Sequence, residues 1–326
     1  MASINDVAKR AKVSKSTVSL VINHTGYVSA ATRKKVEQAM KDLDYVPNQL
    51  AKNLSNRKSH LVGVVVPDII HPFFASFVKY IEKYLYERGY MTMVCSTLGR
   101  ENVELEYLQW LNRHTMDGII MGVHTLDVED YKKTTRPIVS LDRFLSTEIP
   151  MVSSNHAQAA ALTIEMLRKN NCQKVVQFAG SSNINIGAET YIVDCKRLFK
   201  EEGEEMCTHV MPRHTFGLEE YFATAQAAFE KYPDVDAFIG SDMVITQCLK
   251  LARQKKIAVP QELKLIAYDG TQITRMGTQE ISAVVQPIEE LAQVSAELLI
   301  AKIEGKPIVA SKPLPVFWQA GETTSE

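Results

Sequence analysis

Cysteine is scarce in this 326-residue chain and poorly placed for pairing. The five residues, Cys95, Cys172, Cys195, Cys207 and Cys248, are odd in number and show no C-x-x-C spacing. Neither a disulfide framework nor a zinc site is expected. Long apolar runs are missing too. The longest, residues 61–66, contains Gly63 and stops at Pro67, whereas a membrane span needs about 20 apolar residues. No membrane partner is expected. The opening MASINDVAKRAKVSKS carries charges where a signal peptide needs apolar residues, so the expected location is cytoplasmic. Also absent are the G-x-x-x-x-G-K-[ST] phosphate loop, H-E-x-x-H and G-x-S-x-G, and no two of the eight histidines stand four apart. These absences argue against an enzyme: no catalytic residue, cofactor or metal is expected. His71 and His156 read as structural or cleft-rim groups.

What is present is ordinary in bulk and uneven in distribution. At 45% apolar and 23% charged the chain can bury a sizeable core, and its length suggests two domains at about 150 residues each. The net charge of −1 conceals a split: residues 1–60 hold eleven Lys and Arg against four acids, or +7, which leaves −8 on the remainder. A small basic module on an acidic body points to an N-terminal part that meets a polyanion.

Pattern supports that reading. Ser3 with Asp6 marks a helix start, and Ile4, Val7, Ala8 and Ala11 follow helical spacing. After a break at Lys12-Val13, Ser14 caps a second helix that runs to about Asn23. Its Thr17, Val18, Val21 and Ile22 alternate with Lys15, Ser16 and Ser19. A third helix, residues 31–43, turns Val36, Ala39, Met40 and Leu43 inward and Arg33, Lys34 and Lys35 outward. Two short helices and a tight turn describe a helix-turn-helix, whose second helix places polar side chains at base edges in the major groove.

The runs DVAKRAKVSKSTVSLVIN and VSAATRKKVEQAMKDLDYVPNQLAKNL resemble the lactose/galactose repressor family of bacterial transcription regulators. The resemblance implies that Lys15 and Ser16 read operator bases, while Ser14, Thr17, Ser19, Asn23 and Tyr27 meet phosphates or the groove wall. It implies a hinge helix over residues 47–54, folding in the minor groove, with Asn48 and Ala51 among its DNA contacts. Leu54 would wedge beside its dimer mate into the central base step, unstacking it at a cost of a few kcal/mol, roughly, that added contacts offset. Leu20 stands where many members carry Arg or His. It offers only apolar contact, so the operator should differ at that base pair.

From Leu61 the rhythm becomes strand–helix alternation, with strands LVGVVV, residues 90–95, GIIM and PIVSL. It restarts after Pro150 with KVVQFAG, CTHVM, AFIG and LKLIAYD, and SAVV, a helix at 288–305 and PLPVF come last. Near-continuous apolar strands between helices imply parallel sheets covered on both faces, in two similar lobes. The family resemblance extends loosely over this part through VVVPDIIHPFF, SDMV, AYDG and VVQPIEELA, and implies a periplasmic-binding-protein-like body. The expected organisation is a helix-turn-helix head at 1–46, a hinge helix or linker at 47–60, and a two-lobed effector-binding and dimerisation body at 61–326.

A cleft for a polar small molecule needs aromatic faces and a few charged groups just beyond strand ends. Phe73, Phe74, Arg143, Phe216, Asp242 and Asp269 occupy such places. Tyr191 stands where the family often has Arg, which removes a bidentate clamp for phosphate or carboxylate and favours a neutral sugar stacked on tyrosine. The stretches DRFLSTEIPMVSSNH and GETTSE resemble sucrose-utilisation repressors, making sucrose or a related sugar the expected effector. Eight residues follow Trp318 without leucine heptads, which favours a homodimer over a tetramer. The implied mechanism is a repressor that leaves double-stranded operator DNA when effector changes the angle between lobes. Two alternatives are a catabolite-control regulator whose co-effector is a phosphorylated carrier protein, and a sugar-binding protein that does not bind DNA.

Overall fold

In the computed structural model of the protein, residues 2–23, 25–46, 58–98, 100, 102–180, 187–200, 205–212 and 217–325 are described. The chain divides into two compact units, residues 1–59 and 60–326.

The described residues of the first unit form three helices: α1 (Ile4–Ala11), α2 (Lys15–Asn23) and α3 (Ala30–Asp42). Each start has a side-chain cap. Ser3 and Asp6 form a reciprocal capping box on α1, Ser14 Oγ accepts from the Thr17 amide, and Ser29 Oγ accepts from the Thr32 amide. Such caps satisfy amides that have no partner within the helix. Lys12, in the left-handed region at φ 56°, ends α1 and starts the tight turn. Val7, Ala8, Ala11, Val18, Val21, Val36 and Ala39 are buried together. Arg10 pairs with Asp42 at 2.8 Å to tie α1 to α3, an exposed link that solvent and salt screen.

The second unit carries two sheets. The first has β1 (Leu61–Val66), β2 (Met91–Ser96), β3 (Gly118–Met121), β4 (Ile138–Leu141) and β5 (Met151–Val152), in the order β2-β1-β3-β4-β5, all parallel. Helices α4 (Pro72–Glu87), α5 (Val103–Asn112) and α6 (Val128–Lys132) connect them. The second sheet contains β6 (Lys174–Gly180), β7 (Glu205–Met211), β8 (Ala237–Ser241), β9 (Lys264–Asp269), β10 (Ser282–Val285) and β11 (Phe317–Gln319). Its order is β11-β10-β9-β8-β6-β7, with α7 (His156–Lys169), α8 (Gly187–Lys200), α9 (Leu218–Lys231) and α10 (Asp242–Lys255) between strands. Helix α11 (Ile288–Ile303) returns to the first lobe. Its Ile288, Leu291, Ala292 and Leu299 are buried with Val62, Val64 and Phe77. It lies so close over β3 that a side chain at Gly118 would come within 2.9 Å of Leu299 Cδ1.

Three details differ from the sequence reading. The second sheet is not wholly parallel, because β11 runs antiparallel to β10. PLPVF is not itself that strand: Leu314 bridges to Ser154 between the lobes, and the sheet strand begins only at Phe317. The two-residue β5 and the single-turn-scale α6 fall in stretches too short for periodicity to register. Among the described residues no helix is long and apolar enough to cross a membrane.

Candidate functional site

In the first unit, the start of α2 presents donors rather than charge repulsion. Its first turn holds no acid, Lys15 and Ser16 are exposed, and Ser14 Oγ contacts Ser16 Oγ at 2.7 Å and Thr17 Oγ1 at 2.8 Å. A helix N-terminus with hydroxyls and no carboxylate suits a phosphate. Tyr27 is 94% exposed, an unusual state for an aromatic side chain unless something covers it. Thr17 and Ser19 are half-buried, and Ser19 Oγ accepts from Asn23 Nδ2 at 3.2 Å. Leu20 is not held out for contact. It is half-buried over the next turn, where a Cβ at Gly26 would meet Leu20 Cδ2 at 3.2 Å. Asn48, Ala51 and Leu54 lie outside the described residues.

In the second unit, the carboxyl ends of the two sheets meet, but several of the expected cleft groups are consumed by the fold. Phe73 is buried, edge-on to Phe74 at 5.2 Å and stacked on Phe77 at 6.3 Å, so it belongs to the first lobe's core. Phe74 is half-buried, against Gly122. Arg143 is buried as well. Its Nη1 donates to the carbonyls of Leu126 at 3.0 Å and His124 at 3.3 Å, and its guanidinium lies over Tyr131. This corrects its reading as a cleft cation. Tyr191 does not offer a free face either: 2% exposed, it stacks on Tyr268 at 4.2 Å and 15° and reaches Thr163 Oγ1 at 3.1 Å. Phe216 lies outside the described residues.

The two acids behave differently from each other. Asp242, at the start of α10, accepts from the Gly270 amide at 3.0 Å and from the amide and hydroxyl of Thr271 at 2.6 Å. It is a loop anchor. Asp269 ends β9 at φ 130°, a conformation a non-glycine residue rarely holds. Gln286 fixes it twice, through its amide to the Asp269 carbonyl at 3.0 Å and through Nε2 to Oδ1 at 2.8 Å, and Ser154 holds Gln286 Oε1. Burial pushes both carboxyls up, and the charge of Asp242 pushes Asp269 further. Three donors pull Asp242 back down, whereas Asp269 has only the Gln286 side chain to do so. Among the described residues nothing donates to Asp269 Oδ2, leaving this oxygen for a hydroxyl-bearing ligand.

Sequence reasoning placed His156 among structural or cleft-rim groups but missed the partners through which it joins the lobes. His156 contacts Asp142 Oδ1 through Nε2 at 2.8 Å and the Tyr268 hydroxyl through Nδ1. The Asp–His–hydroxyl order resembles a nucleophile relay. Here, however, the hydroxyl is buried and burial drives its pKa well up, the opposite of what a nucleophile needs. The signal available was only that residues 142, 154 and 286 follow strands and residue 268 stands one before the end of β9. Among the described residues no group of three or more His, Cys, Asp or Glu is placed to hold a metal ion.

A capped, basic helix-turn-helix and a two-lobed α/β body define a ligand-responsive DNA-binding class of protein. The chain matches the bacterial regulatory proteins, lacI family, over residues 3–48 and the periplasmic binding protein-like domain over residues 153–324. It is 34% identical over 323 residues to the sucrose operon repressor of Streptococcus mutans, covering 99% of each chain. It is also 34% identical to the ribose operon repressor of Halalkalibacterium halodurans, covering 94% of this chain and 92% of that protein. The protein belongs to the lacI family of bacterial regulatory proteins. Its fold superposes on the lac repressor dimer bound to operator and an anti-inducer with a TM-score of 0.86, at 23% identity over 99% of both chains. At that identity the likeness shows the fold alone.

Proposed function

We propose that this protein is a cytoplasmic, homodimeric repressor of a carbohydrate-utilisation operon, released from operator DNA by a small neutral sugar. Two of its relatives are named sucrose and ribose operon repressors, and sucrose or a related sugar is the reading we favour. The observation that carries the sugar half is Asp269, buried, strained and with one oxygen unpartnered among the described residues, at a strand end between lobes. A neutral ligand fits because the position where a clamp arginine would stand is the buried Tyr191, and Arg143 is spent on carbonyls. On the DNA side, Lys15 and Ser16 read bases, with Ser14, Thr17 and Tyr27 on the backbone. Leu20, committed to the turn at Gly26, leaves its base pair weakly read. An uncovered edge supports the dimer: Met91 and Val94 on edge strand β2, with Leu98 and Tyr86 beside it, are exposed apolar groups of the kind a partner covers.

The test uses full-length protein and a duplex selected from a random pool, followed by fluorescence anisotropy with sucrose or ribose added. Sucrose should release the DNA at concentrations where ribose does not. Asp269→Asn should bind the duplex as wild type does and need at least about tenfold more sucrose for release, the scale of a lost hydrogen bond to a buried polar group. No release by any sugar, or unchanged release in D269N, refutes the assignment of Asp269 as an effector residue.

A further inference from the structure

Asp142 ends the first lobe's β4 turn in the left-handed region at φ 61°, which aspartate tolerates better than most residues. Three elements hold it. Its amide donates to the Val152 carbonyl at 2.8 Å, its carbonyl accepts from the Gly187 amide at 2.5 Å, and its carboxylate faces His156 Nε2 at 2.8 Å. Val152 belongs to its own lobe, whereas Gly187 opens α8 and His156 opens α7, both packed in the second lobe. Nε2 faces the first-lobe carboxylate of Asp142 and Nδ1 the second-lobe hydroxyl of Tyr268, so the two contacts together fix the ring's orientation. Tyr268 is in turn fixed by its stack on Tyr191. Gly187 closes the arrangement: a Cβ there would stand 2.9 Å from His156 Cδ2 and Nε2 and 3.1 Å from Asp142 Oδ1, so a methyl does not fit without parting the pair.

We infer that His156 is a positioning residue, oriented by Tyr268 so that it and Gly187 grip Asp142 and catch the two lobes together at the rim of the cleft when no effector is bound. The catch sets the resting angle between lobes, and effector affinity and DNA release both depend on it. This rests on the reading that effector acts between the lobes, but the contact itself does not.

The experiment reads the contact directly. The Gly187 amide is in the first turn of α8 and so has no partner inside its helix; its protection from hydrogen exchange comes from the Asp142 carbonyl across the lobes. Exchange of full-length, sugar-free protein is compared for wild type, His156→Phe, Tyr268→Phe and Gly187→Ala. His156→Phe should speed exchange at Gly187 by about tenfold or more, and Tyr268→Phe, which removes one oxygen, by about threefold or more. Amides in β6 and β9 should not change. In Gly187→Ala the amide at residue 187 should show the same loss. Unchanged exchange at 187 in His156→Phe overturns the proposal, and if that variant does not fold, Tyr268→Phe decides on the same criterion. Because no sugar is present, failure of the sugar reading leaves this result standing, and the reverse holds too. Where sucrose releases the wild-type protein from DNA, the variants should shift the concentration needed for release; equal release curves there would confine His156 to a static structural role and also overturn the proposal.

Discussion

The two lobes share a topology and differ in the chemistry at their strand ends. Read from one edge, the first sheet runs β2-β1-β3-β4-β5 and the second β7-β6-β8-β9-β10, with β11 added antiparallel. In the first lobe the polar groups near the strand ends close on one another. Glu104 accepts from the Thr125 amide and hydroxyl and from the Tyr131 hydroxyl, Arg143 caps carbonyls, and His124 Nε2 meets Ser140 Oγ at 2.8 Å. In the second lobe the strand ends hold two buried carboxyls, and one of them keeps an oxygen uncommitted among the described residues. One topology thus supports a self-satisfied end and a receptive end. The fold says where a site can be, and the side chains decide which lobe supplies it.

The largest expected effect comes from breaking the self-satisfied end. Glu104→Ala removes the acceptor of the buried Tyr131 hydroxyl and of two donors on exposed Thr125; the orphaned buried donor costs about 1–3 kcal/mol, and the volume the buried side chain vacates adds to it. A loss of about 3–5 kcal/mol in urea unfolding is expected, with sugar affinity within about threefold of wild type for the folded fraction. A loss below about 1 kcal/mol would mean that the first lobe's network is ornamental to stability.

A smaller effect separates the lobes by pH. Burial pulls His71 down to about 4, and burial with the charge of Arg143 pulls His124 down to about 3. Both stay neutral in the fold but protonate in the unfolded chain near the ordinary 6.5, so the unfolded state binds more protons and first-lobe stability falls as pH drops below 6.5. Asp242 and Asp269 are shifted up, so the folded state binds more protons there. Their contribution grows as pH falls and is lost as pH rises through their folded values. Each group contributes at most about 1.4 kcal/mol per pH unit. Exchange-derived stability of β1 and β3 should therefore drop by about 1–2 kcal/mol between pH 7 and 5.5, while β8 and β9 hold or gain. Parallel losses in both lobes would erase the distinction.

How much of this was legible depended on range along the chain. The head's helices are specified within a few residues, by Ser3 with Asp6, by Ser14, and by 3.6-residue spacing, and the sequence reading places them within a residue or two. Strands of apolar residues announce themselves as well. The direction of β11 does not, because it is set by a return from α11 across the lobes rather than by its own three residues. At the strand ends the sequence locates residues but not what consumes their side chains. Phe73, Arg143 and Tyr191 all sit beside the expected cleft in the chain and turn into cores or onto carbonyls in space. The contacts of His156 come from residues 142 and 268, a distance over which no local pattern survives.

The smallest expected effect is the one that most sharpens the comparison, because it asks whether the second lobe's receptive end includes Tyr191. Thr163 Oγ1 donates to the Ala159 carbonyl at 3.0 Å, so the Tyr191 hydroxyl is the donor to Thr163. Tyr191→Phe deletes that bond and keeps the stack on Tyr268. A cost of about 1 kcal/mol is expected, with sugar affinity unchanged, since a side chain 2% exposed has no face to give a ligand. A ring that stacked on sugar would also survive the loss of its hydroxyl, so Tyr191→Leu is the companion variant: it should lower stability further yet leave the folded protein's sugar affinity within about threefold. A tenfold loss, about 1.4 kcal/mol, in Tyr191→Leu at matched folded fraction would return Tyr191 to the cleft. It would also make the receptive end an aromatic platform rather than the Asp269 carboxyl held by Gln286.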